Sequence, residues 1–321
     1  MRRLISNRDS VRRRGAAGVV VARLALAISL WLAATAGEAV AQGYKPGGKA
    51  KAEDSLIFGI HPYSNPQDLF EAYEPVARYL EGKVPGIRIE IEASRDYADF
   101  EAKLAAGHFH LALPNPYETV LSLQHGYGVV AKMTPDDDFR GLIIARKDRH
   151  IRTLRQLAGK TVSFPSPTAV AATMLPLWVL HGQGLDVGKT VQAKFVGSQF
   201  SSLLNAYAGD VDACGSTVRF WRVWSRDNAE KAAEMEVVAR TDSLPHNGVV
   251  VRHDVDKVLA ARLAEALAGM DSDPNLDQSR FKQDQAHFEL ANDAAYQPVR
   301  EFLARYDQAI GLPGSMRPFG W

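Results

Sequence analysis

The sequence predicts an α/β protein of two lobes with a cleft between them. Three observations carry that prediction. Strand-like and helix-like segments alternate from Leu56 to about His125, the alternation restarts at Gly141, and the chain turns mostly helical after Val249. Sheets built this way gather ligands outside the carboxyl ends of their strands.

The first unit opens with LIFGI (56–60), a continuous apolar run read as a buried strand and broken by the turn cluster His61–Pro66. Leu69, Tyr73, Val76, Ala77 and Leu80 then recur at helical spacing. IRIEIEA (87–93) alternates and reads as a strand, and DYADFEAKLAAG (96–107) as a helix closing on Gly107. FHLALP (109–114) is a further strand, followed by a turn at Asn115-Pro116 and a helix from Tyr117 to about His125.

In the second unit GLIIARKD (141–148) reads as a strand. TLRQLAGKTVSFP (153–165) gives a short helix, a turn at Gly159-Lys160 and a strand. SFPSPTAVAATMLP (163–176) ends that strand, turns, and opens a helix reaching about His181. VQAKFVG (191–197) is a strand, FSSLLNAYAGD (200–210) a helix, and VDACGS (211–216) and EVVART (236–241) are strands. A strand at VVVR (249–252) and helices at 255–270 and 294–312 complete the chain. The expected partition is residues 55–140 with 245–321 as one lobe and 141–244 as the other.

The N-terminus sets the expected compartment. Arg2, Arg3, Arg8 and Arg12 to Arg14 precede an apolar run from Leu24 to Ala36, then the small-x-small site Ala39-Val40-Ala41. Residues 1–41 therefore read as a cleavable secretory signal peptide, its apolar run being too short to span a bilayer. Residues 42–54 are Gly- and Lys-rich and read as a flexible leader. Removing seven arginines and two acids with the signal leaves 31 basic and 35 acidic residues, a net charge of −4. That balance argues against nucleic acid as a partner. Cys214 is the single cysteine, so no internal disulfide forms. Neither a nucleophile elbow nor a closed metal motif is present, so the expectation is a non-enzyme without cofactor or metal, acting as a monomer.

The candidate ligand residues follow the strands: His61 and Tyr63, Asn115 and Tyr117, Thr168 to Ala171, Ser198 and Gln199, and Cys214, with Tyr97 at a helix start. A strand–turn–helix at 163–176 aims free backbone N–H groups at an anion seat. Yet its turn, Ala169-Val170-Ala171-Ala172, offers no side-chain donor. Cys214 reads either as a ligand for a thiophilic oxyacid such as arsenite or as a small core residue. His108-x-His110 can share a strand face, but no third metal ligand is spaced for it. Asp136–Asp138 reads as solvated, and RFWRVWSR (219–226) as core packing or as a cover for the cleft rim.

Five stretches in order resemble the periplasmic solute-binding proteins of phosphate, phosphite and phosphonate ABC transporters. They are FGIHPYSNP, DYADFEAKLAAGHFHLALPNPYETV, GLIIARKDRHIRTLRQLAGKTVSFPSP, GLDVGKTVQAKFVGSQFSSLLNAYAGDVDA and the helical tail. The resemblance implies the type II periplasmic-binding fold, two mixed sheets flanked by helices around a hinged cleft. It implies a small anionic or polar ligand and an ABC permease as partner, the alternative being a membrane sensor kinase. It also implies site roles for Tyr97 and Tyr117 and keeps Asp212. The family's Ser-Thr-Ser-Gly loop falls on Ala169–Ala172, its histidine on Gln199, and an aspartate on His110. A dianion in a dry cleft needs several charge-assisted donors. The donors left, Thr168, Thr173, Ser198, Gln199, Tyr97, Tyr117 and Asn115, suit a singly charged or neutral ligand better.

Overall fold

The computed structural model describes residues 55–281 and 287–312. The expected signal peptide and leader lie outside them. In chain order the first part contains β1 (Ser55–Ile60), α1 (Pro66–Lys83), β2 (Arg88–Ala93), α2 (Tyr97–Ala105), β3 (Leu111–Leu113), α3 (Pro116–Ser122) and β4 (Tyr127–Met133). The middle part contains β5 (Arg140–Arg146), β6 (Thr161–Phe164), α4 (Leu175–Gly182), β7 (Gln192–Phe195) and α5 (Gln199–Ala208). It continues through β8 (Ala213–Thr217), α6 (Val218–Asp227), α7 (Ala229–Ala233) and β9 (Met235–Ser243). The chain ends with β10 (Gly248–Arg252), α8 (Lys257–Ala268), β11 (Phe288–Leu290) and α9 (Gln297–Ala309).

Two mixed sheets result. The first has the order β11-β4-β10-β3-β1-β2, and the second β7-β6-β8-β5-β9. β1 runs parallel to β2 and β3, while β10 runs antiparallel to β3 and β4. β6 runs parallel to β7 and β8, while β5 is antiparallel to β8 and β9. The chain leaves the first sheet through residues 134–139 and returns through 244–247. The ends of β1, β3, β6 and β8 thus deliver residues 61–65, 114–115, 165–169 and 217 to one region.

Local chemistry explains most boundaries. Asn65 caps α1, accepting from the Asp68 N–H, and Asp96 caps α2 in the same way. Asn115 and Glu118 form a reciprocal capping box at α3. Leu69, Val76 and Leu80 of α1 pack against Phe58 and Ile60 of β1, each such side chain stabilising by roughly 1.5–3 kcal/mol.

Several expected boundaries move. The strand expected over 109–114 is only Leu111–Leu113, because His110 hydrogen-bonds β1 outside the ladder. The strand expected over 211–216 shifts to Ala213–Thr217, Asp212 instead bonding the Thr161 N–H through its carboxylate. The strand expected over 141–148 gives way to a 3-10 turn at Lys147–Arg149. The turn 169–172 does not open an α-helix directly. Residues Val170–Met174 form one π-helical turn, the Leu175 N–H reaching the Val170 carbonyl, before α4 begins. That turn lies flat on the second sheet: a Cβ at Gly141 or Gly215 would collide with the carbonyl oxygens of Ala171 and Ala172, respectively.

Candidate ligand-binding site

Between the lobes lies a cavity of about 60 Å³. The first lobe contributes His61 and Tyr63 from the loop after β1, and His246 and Asn247 from the return segment. The second contributes Gln199 at the start of α5, and Thr217 and Arg219 at the start of α6. Each of these positions follows from a strand end or a helix start.

The polar groups are tightly held. The His61 Nδ1 lies 3.0 Å from the Leu113 carbonyl, which only accepts, so Nδ1 carries the proton and Nε2 presents a lone pair. Burial pushes the His61 pKa down to about 4, against the opposing pull of that bond. The His246 Nδ1 accepts from the Asn247 N–H at 2.7 Å, so its neutral ring carries the proton on Nε2. Burial first, then the charges of Arg219 and Lys132, hold the His246 pKa well below its usual value. Gln199 Oε1 accepts from the Thr217 N–H, the Thr217 hydroxyl and the Ser216 hydroxyl at 3.0–3.3 Å.

Because His61 must be neutral in the fold, its stability contribution is present above pH 6.5 and is lost as pH falls through about 4. His61→Asn, which retains a donor for the Leu113 carbonyl, is therefore expected to gain on the native chain by about 3 kcal/mol between pH 7 and pH 4 in paired thermal melts. A constant difference across that window would contradict the assignment.

A second polar group lies on the other side of the cleft floor. Tyr97 packs on Ala169 and Ala172, and Asn115 Nδ2 donates to the Thr168 carbonyl at 3.3 Å. Glu101 hydrogen-bonds the Thr168 side chain across the lobes. Burial pushes its carboxyl pKa up to about 7. Glu118 is wholly buried, its carboxyl held well above the usual range by burial and then by Glu101. One oxygen of each carboxyl has no hydrogen-bond partner. Tyr97 and Tyr117 titrate above their normal range for the same reasons, burial first and the two acids second.

The sequence profile of a family described as ABC transporter, phosphonate, periplasmic substrate-binding protein matches residues 58–299. This chain belongs to that family. Its structure is similar to a binding-protein component of an ABC phosphonate transporter from Pseudomonas aeruginosa, with a TM-score of 0.71 and 15% identity over 80% of this chain and 88% of that one. It is similar also to a protein from Prochlorococcus marinus in complex with methylphosphonate, with a TM-score of 0.70 and 15% identity over 79% and 99%. A protein of Xanthomonas citri bound to chloride ion gives a TM-score of 0.66 and 20% identity over 79% and 98%. Members of the phosphonate-binding family are substrate-binding proteins, not enzymes.

Within this member of the family the sequence-derived residues divide. His61, Tyr63 and Gln199 line the cavity. Tyr97, Asn115, Tyr117, Thr168, Ala169, Val170 and Ala171 are buried in the packed floor. Ser198 spends its hydroxyl capping α5, accepting from the Ser201 N–H. Cys214 sits with Leu142, Ile144, Leu203 and Trp224 in an apolar cluster, where burial pushes its thiol up. His108 turns to Glu92 and His110 to the Ile57 N–H, and among the described residues no three metal-ligating side chains converge.

Sequence reasoning did not name Glu101, Glu118, His246 or Asn247 as candidates, and read the stretch holding Arg219 as core packing or as a cover for the cleft rim. Arg219 had a visible signal, its place two residues beyond a strand end in an aromatic-rich stretch. Glu118 was readable only as a capping residue.

Proposed function

We propose that this protein captures a small oxyanion of the phosphonate, phosphite or phosphate type in the interlobe cavity and delivers it to an ABC importer. The observation that carries the reading is the cavity itself, walled by both lobes and carrying one cation, Arg219, beside two neutral histidines. A concave site with a few convergent polar groups is the usual form of a ligand pocket. The same reading makes residues 1–41 a cleaved export signal, and residues 55–140 with 245–321 and residues 141–244 the two closing lobes of a monomer. In it Tyr97, Asn115, Tyr117 and residues 168–171 set how the lobes meet rather than grip the ligand. Nothing favours a thiophilic oxyacid, since Cys214 packs in the core.

Thermal melts of the purified protein with phosphate, phosphite, methylphosphonate, aminoethylphosphonate and alkanesulfonates test the reading. A ligand at about 100 times its Kd adds about 2.7 kcal/mol, which should raise Tm by several degrees. Absence of a shift with every phosphorus oxyanion would overturn it.

A further inference from the structure

Resting on that reading, we propose that the cavity selects a singly protonated oxyanion, which places its charged oxygens at Arg219 and His246 and its single O–H at Asn247. The ligand is thus the monoanion of a compact oxyacid, and the site discriminates against dianions of the same size.

The argument is an inventory of donors and acceptors. Arg219 supplies positive charge and donors, and its guanidinium acts on His246, which shares the cavity. His246 is fixed on every side. Its N–H donates to Asp136, its carbonyl accepts from the Tyr296 hydroxyl, and its ring packs 5.1 Å from that of Phe139. The one atom left is Nε2, a buried donor without a partner. Asn247 is pinned through its backbone, its carbonyl accepting from the Met133 N–H. Its side-chain Oδ1 is a buried acceptor without a partner. Both residues are more than nine-tenths buried and line the cavity. Unmade hydrogen bonds at such depth are costly, so the pair points to a ligand carrying complementary groups.

Two of those groups are donors and two are acceptors. His246 Nε2–H asks for an oxygen with lone pairs, and Arg219 places positive charge beside it. Asn247 Oδ1 and His61 Nε2 ask for a hydrogen. A fully deprotonated oxyanion would present lone pairs to both acceptors, a repulsive arrangement. An oxyacid retaining one O–H satisfies both donors and Asn247 Oδ1, the buried acceptor without a partner. The size agrees: about 60 Å³ is roughly four to six water sites, enough for one tetrahedral headgroup.

The charged and titratable groups facing the bound headgroup are His61, Tyr63 and Tyr73 from the first lobe, Asp138, Arg219 and His246. Asp138 is paired with Arg222 at 2.6 Å. Both histidines stay neutral well below neutrality. Glu101, which does not line the cavity but bonds Thr168, has its carboxyl pKa raised to about 7, so measurements are repeated in Glu101→Gln.

Calorimetric titration with phosphite and with sulfate, a dianion that keeps no proton, tests the proposal between about pH 5 and about pH 8, a window spanning the second pKa of roughly 6 typical of such phosphorus oxyacids. Phosphite is expected to bind about tenfold more weakly per pH unit above that pKa, and sulfate not to bind. Arg219→Gln should weaken phosphite by roughly 100-fold. Asn247→Leu should reduce the preference for phosphite over sulfate at least about tenfold. Apo melts establish that each variant folds, and Gly182→Ala, at the end of α4 with nothing within 4 Å of its Cβ, should keep the preference. Phosphite binding that strengthens with pH, or sulfate binding as tightly, would overturn the proton selection while leaving an oxyanion-binding protein. Absence of binding by any oxyanion would instead remove the functional reading beneath it.

Discussion

At pH 8, Glu101→Gln is expected to be more stable than the native chain by about 3 kcal/mol, with the advantage gone near pH 4. The sign follows from a raised carboxyl pKa. A neutral Glu101 contributes stability that is fully present below the unfolded value of 4.5 and is lost as pH rises through about 7. At pH 8 the native chain must hold a buried carboxylate beside Glu118, whereas glutamine stays neutral. Glutamine also keeps a hydrogen-bonding group for Thr168, so the lobe contact survives. Chemical denaturation of both proteins across that range measures the difference. Equal stabilities at pH 8, or an advantage that grows on acidification, would show that Glu101 is solvated and ionised.

Gly215→Val is expected to cost about 3 kcal/mol or more, or to prevent folding. The position is in the middle of β8, where the π-turn carbonyl of Ala172 sits against the strand and a Cβ would also stand 2.5 Å from the Phe164 ring. Neither neighbour can retreat, since one is backbone and the other is fully buried. Gly182→Ala makes the contrast, because nothing lies within 4 Å of a Cβ at the end of α4. It should change stability by under about 1 kcal/mol. A tolerated valine at 215 would mean that the turn 169–174 does not rest on the sheet.

The sequence carried the architecture well where apolar runs and caps coincided. β1, α1, α2 and α5 follow from LIFGI, from Leu69 to Leu80 at helical spacing, and from Asp96 and Ser198 as caps. β4 escaped because Gly126 and Gly128 flank Tyr127 and hide a strand that both β10 and β11 pair with. β11 has three residues and exists only through its partner, so no local pattern announces it. The site was legible by position but not by chemistry. Strand ends pointed to His61, Tyr63 and Gln199. Which nitrogen of His61 or His246 holds the proton depends on the Leu113 carbonyl and the Asn247 N–H, and only the fold supplies those. The hydroxyl-free turn drew attention as an empty seat, whereas Ala169 and Ala172 are small so that Tyr97 of the opposite lobe can press against them.

The direct bonds between the lobes bear on how occupancy is reported. Asn115 to Thr168, and the Gln199 N–H to the Tyr63 carbonyl at 3.1 Å, join the lobes through groups that no ligand need touch. A ligand shifts a conformational balance only by the difference in its affinity for the two shapes. Bonds of this kind favour the shut form whether or not a ligand is present, so a bound molecule adds only its own difference in affinity for the two shapes. A carrier built this way gains affinity through pre-organisation, because little of the ligand's interaction is diverted into closure. The more of the closing energy lies in these bonds, the smaller the change of shape that ligand occupancy adds.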